Sequence, residues 1–94
     1  MKILQNSKEI DTFDLGIVPA GETKRFEYEI FNDSSATLRD LKFTLLNEET
    51  KIIEAPKAMM PQAVDKLIIE WSPSVTLKQG LKAELKIAGI ELWG

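Results

Sequence analysis

Apolar and polar residues alternate with a period of two in four separate stretches of this 94-residue chain. Successive side chains of a β-strand point to opposite faces, so each stretch predicts a strand with one buried face and one solvated face. The apolar members of these stretches are Phe26-Tyr28-Ile30, Leu41-Phe43-Leu45, Leu67-Ile69-Trp71 and Leu81-Ala83-Leu85-Ile87. This pattern predicts a fold built from β-strands.

Turn-forming residues separate the alternating stretches, as in Pro19-Ala20-Gly21 and Asn32-Asp33-Ser34-Ser35. Short strands with frequent turn signals favour an all-β sandwich. We predict one domain spanning residues 1–94, an all-β sandwich of about seven strands. The predicted strands lie near residues 2–5, 10–18, 24–32, 38–46, 51–54, 64–71 and 81–92.

Two segments leave a helical alternative open. Residues 55–70 contain helix-forming residues, but Pro61 lies in their middle and would break a helix. Residues 80–94 place Leu81, Leu85 and Ala88 at helical spacing, although their period-two alternation is cleaner. We therefore expect strands in the second segment.

Charge and hydropathy exclude several classes of partner. The net charge is −3, whereas a nucleic-acid binder needs a basic stripe that neutralises phosphates. No run approaches the roughly 20 apolar residues of a membrane helix, so no membrane contact is expected. The first residues, MKILQNSKEI, lack the apolar run of about 7–15 residues of a signal peptide. The absence of cysteine favours a reducing compartment or an assembled context. Because no signal peptide is recognised, we expect a protein that is cytoplasmic as synthesised, with incorporation in a virion as a further option.

The residue types needed for common catalytic sites are missing. The chain has no His and no Cys, which excludes Ser-His-Asp and Cys-His arrangements and the usual zinc sites. Neighbouring carboxylates such as Glu27 and Glu29 are expected on a solvated strand face. We predict no enzymatic activity, no cofactor, no metal and no small-molecule substrate.

Turn and apolar positions over roughly residues 10–92 resemble the bacterial and ciliary Ig-like modules of the ASH and MSP type, which have a PapD-like fold. The first half of that pattern is a strand, a turn of the form G-x-V-x-x-G-E and a strand ending in Asn. The matching residues are Gly16, Val18, Gly21, Glu22 and Asn32. The later half is matched by Pro61, Trp71, Pro73, Gly80, Leu85, Ile87 and Gly89.

The resemblance implies a seven-stranded Ig-like β-sandwich. It also implies a scaffold or attachment role, because such modules bring no catalytic residues to carry over to this chain.

A few large apolar residues fall where a core would not need them. Trp71 ends an inward-facing run and is expected in the core, whereas Trp93 adjoins the end of the sequence. Phe31 shares the predicted solvent face of Glu27 and Glu29. Met59 and Met60 flank a proline turn. Exposed aromatic and Met side chains are common interface anchors, so four residues become candidates for protein contact. They are Phe31, Met59, Met60 and Trp93. The alternative is a small apolar cluster that caps one end of the sandwich.

From these observations we predict a structural or attachment module that binds a protein partner in a larger assembly. Its most concrete form is a small accessory protein that decorates a particle such as a phage virion. The alternative is a soluble adaptor that binds a peptide or protein by adding a strand to an open sheet edge.

Overall fold

Every regular element in the computed structural model is a β-strand, and the structure describes residues 1–93. All strand pairings are antiparallel. In chain order the strands are β1 (Lys2–Gln5), β2 (Lys8–Ile10), β3 (Phe13–Gly16), β4 (Lys24–Phe31), β5 (Thr37–Leu45), β6 (Thr50–Glu54), β7 (Val64–Trp71), β8 (Leu81–Ala83) and β9 (Leu85–Leu92). The predicted all-β class is confirmed, and no helix within residues 1–93 is long and apolar enough to span a membrane.

The strands form one five-stranded sheet and two strand pairs. The large sheet has the order β2-β1-β4-β7-β6, and the pairs are β3-β8 and β5-β9. Strands β4 and β7 pair at the centre of the large sheet. Their antiparallel register is regular along its whole length, from the pair Lys24–Trp71 to the pair Phe31–Val64. This register aligns the apolar alternation of both strands on one face.

That apolar face covers the core. Trp71, predicted as a core residue, is 0% exposed and confirms the prediction. Phe13 from β3 meets Tyr28 from β4 edge-on, with ring centroids 4.6 Å apart. The other buried members of this cluster are Leu15, Val18, Ile30, Leu38, Leu41, Met59, Leu67, Ile69 and Ala83. The core therefore joins the five-stranded sheet to both strand pairs.

The structure divides two of the predicted strands, which gives nine strands instead of about seven. The predicted strand 10–18 is separated into β2 and β3, because β1 and β2 form a hairpin around Asn6 and Ser7. Both turn residues have positive φ, 52° and 66°, as a tight type I′ hairpin turn requires. The predicted strand 81–92 is interrupted at Glu84, since β8 pairs with β3 and β9 pairs with β5.

A β-bulge in β5 fixes the position of β9. Asp40 and Leu41 together oppose the single residue Gly89, and Asp40 has a positive φ of 52°. A Cβ atom at position 89 would come 2.7 Å from Leu41 Cδ2. Gly89 therefore allows β9 to lie close against the bulged strand.

Candidate protein-attachment surface

The four candidate residues lie toward one end of the fold, which we call the Asn32 end. There β4 ends at Phe31, β7 begins at Val64, and these two residues are paired. On the β5–β9 pair, Thr37 is paired with Leu92, the last strand residue before Trp93. Residues far apart in the sequence are therefore brought to the same end by strand register.

The buried side chain of Asn32 holds this end together. Its Nδ2 donates to the carbonyl oxygens of Ala36 at 2.9 Å and Met60 at 3.0 Å. Its Oδ1 accepts hydrogen bonds from the backbone N–H and the hydroxyl of Ser34. The backbone of Asn32 adds bonds to Ala63 and Gln62. One side chain thus joins the loop after β4 to the loop before β7, a role that the sequence pattern did not reveal.

Met60 and Trp93 present most of their side chains at the surface. Met60 is 66% exposed and Trp93 is 67% exposed. The Trp93 Nε1 donates to Glu91 Oε2 at 3.2 Å, which holds the indole beside the end of β9. These two candidates are accessible to a partner.

Met59 occupies a different environment from Met60. It is 3% exposed and belongs to the core, because its backbone N–H and C=O form an isolated bridge with Leu38 of β5. This bridge turns the Met59 side chain inward. Met59 is therefore a core residue and not an exposed anchor in this fold.

Phe31 has the predicted facing but an intermediate burial. It lies on the strand face shared with Glu27 and Glu29, opposite Lys2 on one side and Val64 on the other. Its half-buried ring can contribute both to folding and to a contact surface.

Three further exposed apolar residues surround the Asn32 end and were not selected from the sequence. They are Met1, Val64 and Leu92. Their signal is long-range, because it depends on which strands end together. We call Met1, Met60, Val64, Leu92 and Trp93 the end patch.

Ionic groups lie at the margin of the end patch. The Met1 ammonium group is 2.9 Å from Asp33 Oδ1. This contact lowers the pKa of the Asp33 carboxyl below its ordinary value. An apolar patch with charges at its edge has the composition of a protein contact surface.

A cleft of about 410 Å³, lined by both apolar and polar residues, opens next to the end patch. Leu38, Leu41 and Ile87 supply its apolar walls, and Asn32 and Glu91 line it as well. The cleft lies along the inner face of β9, so a side chain delivered from that edge could enter it.

Strand β9 is also an open sheet edge. Among residues 1–93 its hydrogen-bonded neighbour is β5 alone, and most of its side chains are exposed. An unpaired strand edge offers a row of N–H and C=O groups to another chain. The Asn32 end therefore combines an exposed apolar patch, a cleft and a free strand edge.

Comparison of the chain with protein-family models, with curated proteins and with solved structures gave no match. The possible role of this surface is therefore argued from its own geometry.

Proposed function

We propose that this protein is a non-enzymatic attachment module that binds a larger protein assembly through the end patch. In its most concrete form it is an accessory protein that decorates a particle such as a phage virion. The fold that we propose for it is an Ig-like β-sandwich. The antiparallel sheets around one apolar core and the resemblance in turn positions support that assignment.

The observation that carries the proposal is the exposure of Trp93 and Met60 at an end stiffened by Asn32. Large apolar side chains on a rigid support are the usual energetic centres of protein interfaces. Asn32 holds the Met60 backbone through a 3.0 Å hydrogen bond. The Trp93 indole is oriented by Glu91. Because both anchors are already ordered, less conformational entropy is lost when a partner covers them.

Anchor residues can be tested by separating binding from stability. Particles are sedimented from the native host, and the bound fraction of this protein is measured for the parent, Trp93→Ala and Met60→Ala. An anchor worth about 2 kcal/mol predicts a roughly thirtyfold loss of affinity. Neither change should shift the melting temperature appreciably, because exposed side chains contribute within about 0.5 kcal/mol to folding.

The matched control is Val75→Ala, which removes an exposed apolar side chain in the loop between β7 and β8. This variant should bind like the parent. The proposal fails if the parent does not sediment with any particle, or if Trp93→Ala and Met60→Ala bind as tightly as Val75→Ala.

A second candidate function is an adaptor that receives a peptide strand on the free edge of β9. The open edge and the adjoining cleft favour this possibility. Strand addition depends on backbone groups, so binding should tolerate Trp93→Ala but fail when a proline removes a donor from the β9 edge.

A further inference from the structure

The hairpin formed by β1 and β2 contributes little to the buried core. From Lys2 to Ile10 no side chain is fully buried, although Ile3, Leu4 and Ile10 are partly covered. The neighbouring strands β4 and β7 both bury side chains completely. Because apolar burial is the dominant stabilising term in folding, the hairpin depends mainly on its backbone bonds to β4.

The seam between the hairpin and the rest of the large sheet is short. It consists of three residue pairs, which are Lys2–Phe31, Ile3–Ile30 and Leu4–Glu29. By contrast, β4 is paired with β7 along its full length. An ion pair between the Met1 ammonium group and the partly exposed Asp33 carboxylate adds one tie that water weakens. Two exposed residues, Asp11 and Thr12, link β2 to β3, so the hairpin can leave without moving another strand.

The hairpin has little stability of its own. Asn6 and Ser7 hold positive φ in its turn, and neither is the glycine that adopts this conformation without steric cost. An isolated two-stranded hairpin is at best marginally stable in water. The docked form is therefore maintained by the seam, and loss of the seam frees the whole hairpin at once.

We propose that residues 2–10 form a strap that undocks from β4 as one unit while the rest of the fold stays intact. Proteins open locally in such units where few buried contacts hold a segment in place. Undocking removes Lys2 from beside the half-buried Phe31 and leaves β4 with an open edge next to the end patch. This inference goes beyond the attachment role and does not depend on it.

The backbone groups of Leu4 are directed to β4. Gln5 and Lys8 flank the hairpin turn, and the flanking pair of a two-residue type I′ hairpin is hydrogen-bonded. Backbone groups of successive strand residues point to alternate edges, so Gln5 faces β2 and Leu4 faces β4. The partner of Leu4 in β4 is Glu29, and the Glu29 N–H therefore donates to the strap.

The next residue of β4 faces the opposite way. The Asn32 N–H donates at 2.9 Å to the loop before β7, on the β7 side of the strand. By alternation, the amides of Ile30 and Tyr28 also bond to β7, whereas those of Glu29 and Phe31 bond to the strap. Neighbouring amides of one strand thus report two different openings.

Native-state hydrogen exchange, followed amide by amide by NMR, tests the proposal. After correction for intrinsic rates, the Glu29 and Phe31 amides should exchange at least about a hundredfold faster than those of Tyr28 and Ile30. The Leu4 amide should give the same corrected value as Glu29 and Phe31, because one undocking frees all three. Equal protection of the neighbouring β4 amides overturns the proposal. Unequal values for Leu4, Glu29 and Phe31 also overturn it, because they indicate separate fraying.

Ile69→Val separates undocking from global unfolding. Ile69 is completely buried in β7 and keeps its surroundings when the strap undocks. The substitution destabilises the docked and undocked forms alike, so Glu29 and Phe31 should exchange as in the parent. Tyr28 and Ile30 should exchange about two- to twelvefold faster, which corresponds to the ordinary cost of this truncation. Equal acceleration of all four amides overturns the proposal.

Ile3→Val is the matched control, because Ile3 belongs to the strap and is partly buried only in the docked form. This substitution weakens the docked form alone. It should therefore accelerate exchange of all four β4 amides by one common factor. Acceleration of Tyr28 and Ile30 without Glu29 and Phe31 would show that the latter two do not exchange through undocking, and would overturn the proposal.

Discussion

Gly80 packs against the backbone of Gly16. A Cβ atom at position 80 would lie 2.8 Å from the Gly16 carbonyl oxygen and 3.0 Å from its carbonyl carbon. Both glycines have positive φ, 75° and 64°. Gly16 also pairs with Leu81, so this contact sets the point where β3 and β8 meet.

Gly80→Ala should therefore destabilise the fold by two separate effects. The left-handed backbone costs an L-residue about 1–2 kcal/mol, and the collision with backbone atoms adds about 1–3 kcal/mol. Gly21→Ala isolates the first effect, because Gly21 has φ 82° but open space around its Cα. Chemical denaturation of both variants checks the difference. Equal losses for the two variants would show that the close contact with Gly16 has no energetic weight.

Trp71→Ala should remove a large part of the folding free energy. Trp71 is completely buried at the end of β7, opposite Lys24 of β4. Truncation of a buried aromatic residue typically costs about 3–5 kcal/mol, because a cavity remains where the ring was. The measurement is the midpoint of denaturant unfolding. A loss below about 1 kcal/mol would be inconsistent with this burial.

The strands whose pattern is strictest were predicted best. The sequence pattern predicts strands at residues 64–71 and 24–32. The structure has β7 at Val64–Trp71 and β4 at Lys24–Phe31. Both strands lie inside the large sheet, where the face turned to the core enforces the alternation, although Ile68 on the other face of β7 is buried as well. The hairpin turn at Asn6 and Ser7 was missed, because these residues adopt positive φ without the glycine that usually signals such a turn.

The candidate surface was predictable only in part, because exposure depends on neighbours that the local pattern cannot show. Alternation placed Phe31 on the face of Glu27, yet Lys2 and Val64 on adjacent strands half-cover it. The sequence predicts Met59, beside a proline turn, as an interface candidate, but a bridge to Leu38 turns it into the core. The place of Trp93 near the end of the sequence predicted an exposed side chain, and the side chain is exposed. Whether these residues bind a partner stays a prediction.

Asn32→Ala should weaken the Asn32 end more than an ordinary polar truncation. The substitution removes the Asn32 Nδ2 donor from the carbonyl groups of Ala36 and Met60, which keep only a 3.5 Å contact from the Ser34 hydroxyl and a 3.2 Å bond from the Ala63 N–H, respectively. It also removes the acceptor used by Ser34. Each buried polar group that loses its partner costs about 1–3 kcal/mol, so we expect a total loss of about 2–4 kcal/mol. Ser34→Ala is the comparison, because it removes one hydroxyl and retains the Asn32 bonds to both carbonyls. Hydrogen exchange of the Gln62 amide, whose N–H donates to the Asn32 carbonyl, would report local loosening. Similar stability of the two variants would contradict a central role for Asn32.

Ionisation of Tyr28 should destabilise the folded protein at high pH. Burial, and then the nearby Asp14 carboxylate, raise the pKa of Tyr28 from 10.0 to about 12. Between these two values the unfolded chain has lost the phenolic proton while the folded chain retains it. The stabilising effect of neutral Tyr28 is therefore complete below pH 10 and declines as pH rises through about 12.

Tyr28→Phe separates this effect from the titration of other groups. The Tyr28 hydroxyl is buried without a hydrogen-bond partner, so its removal should change stability at neutral pH by less than about 1 kcal/mol. We expect the parent to lose more stability than Tyr28→Phe between pH 10 and 12, as measured by denaturant unfolding across this window. Tyr28 is the single tyrosine of the chain, so tyrosinate absorbance follows its ionisation directly. Two results would contradict this: a tyrosinate titration midpoint near pH 10 in the folded protein, or stability curves of the parent and Tyr28→Phe that run parallel across the window. Either would show that the phenol is solvated and that the edge-on contact with Phe13 does not exclude water.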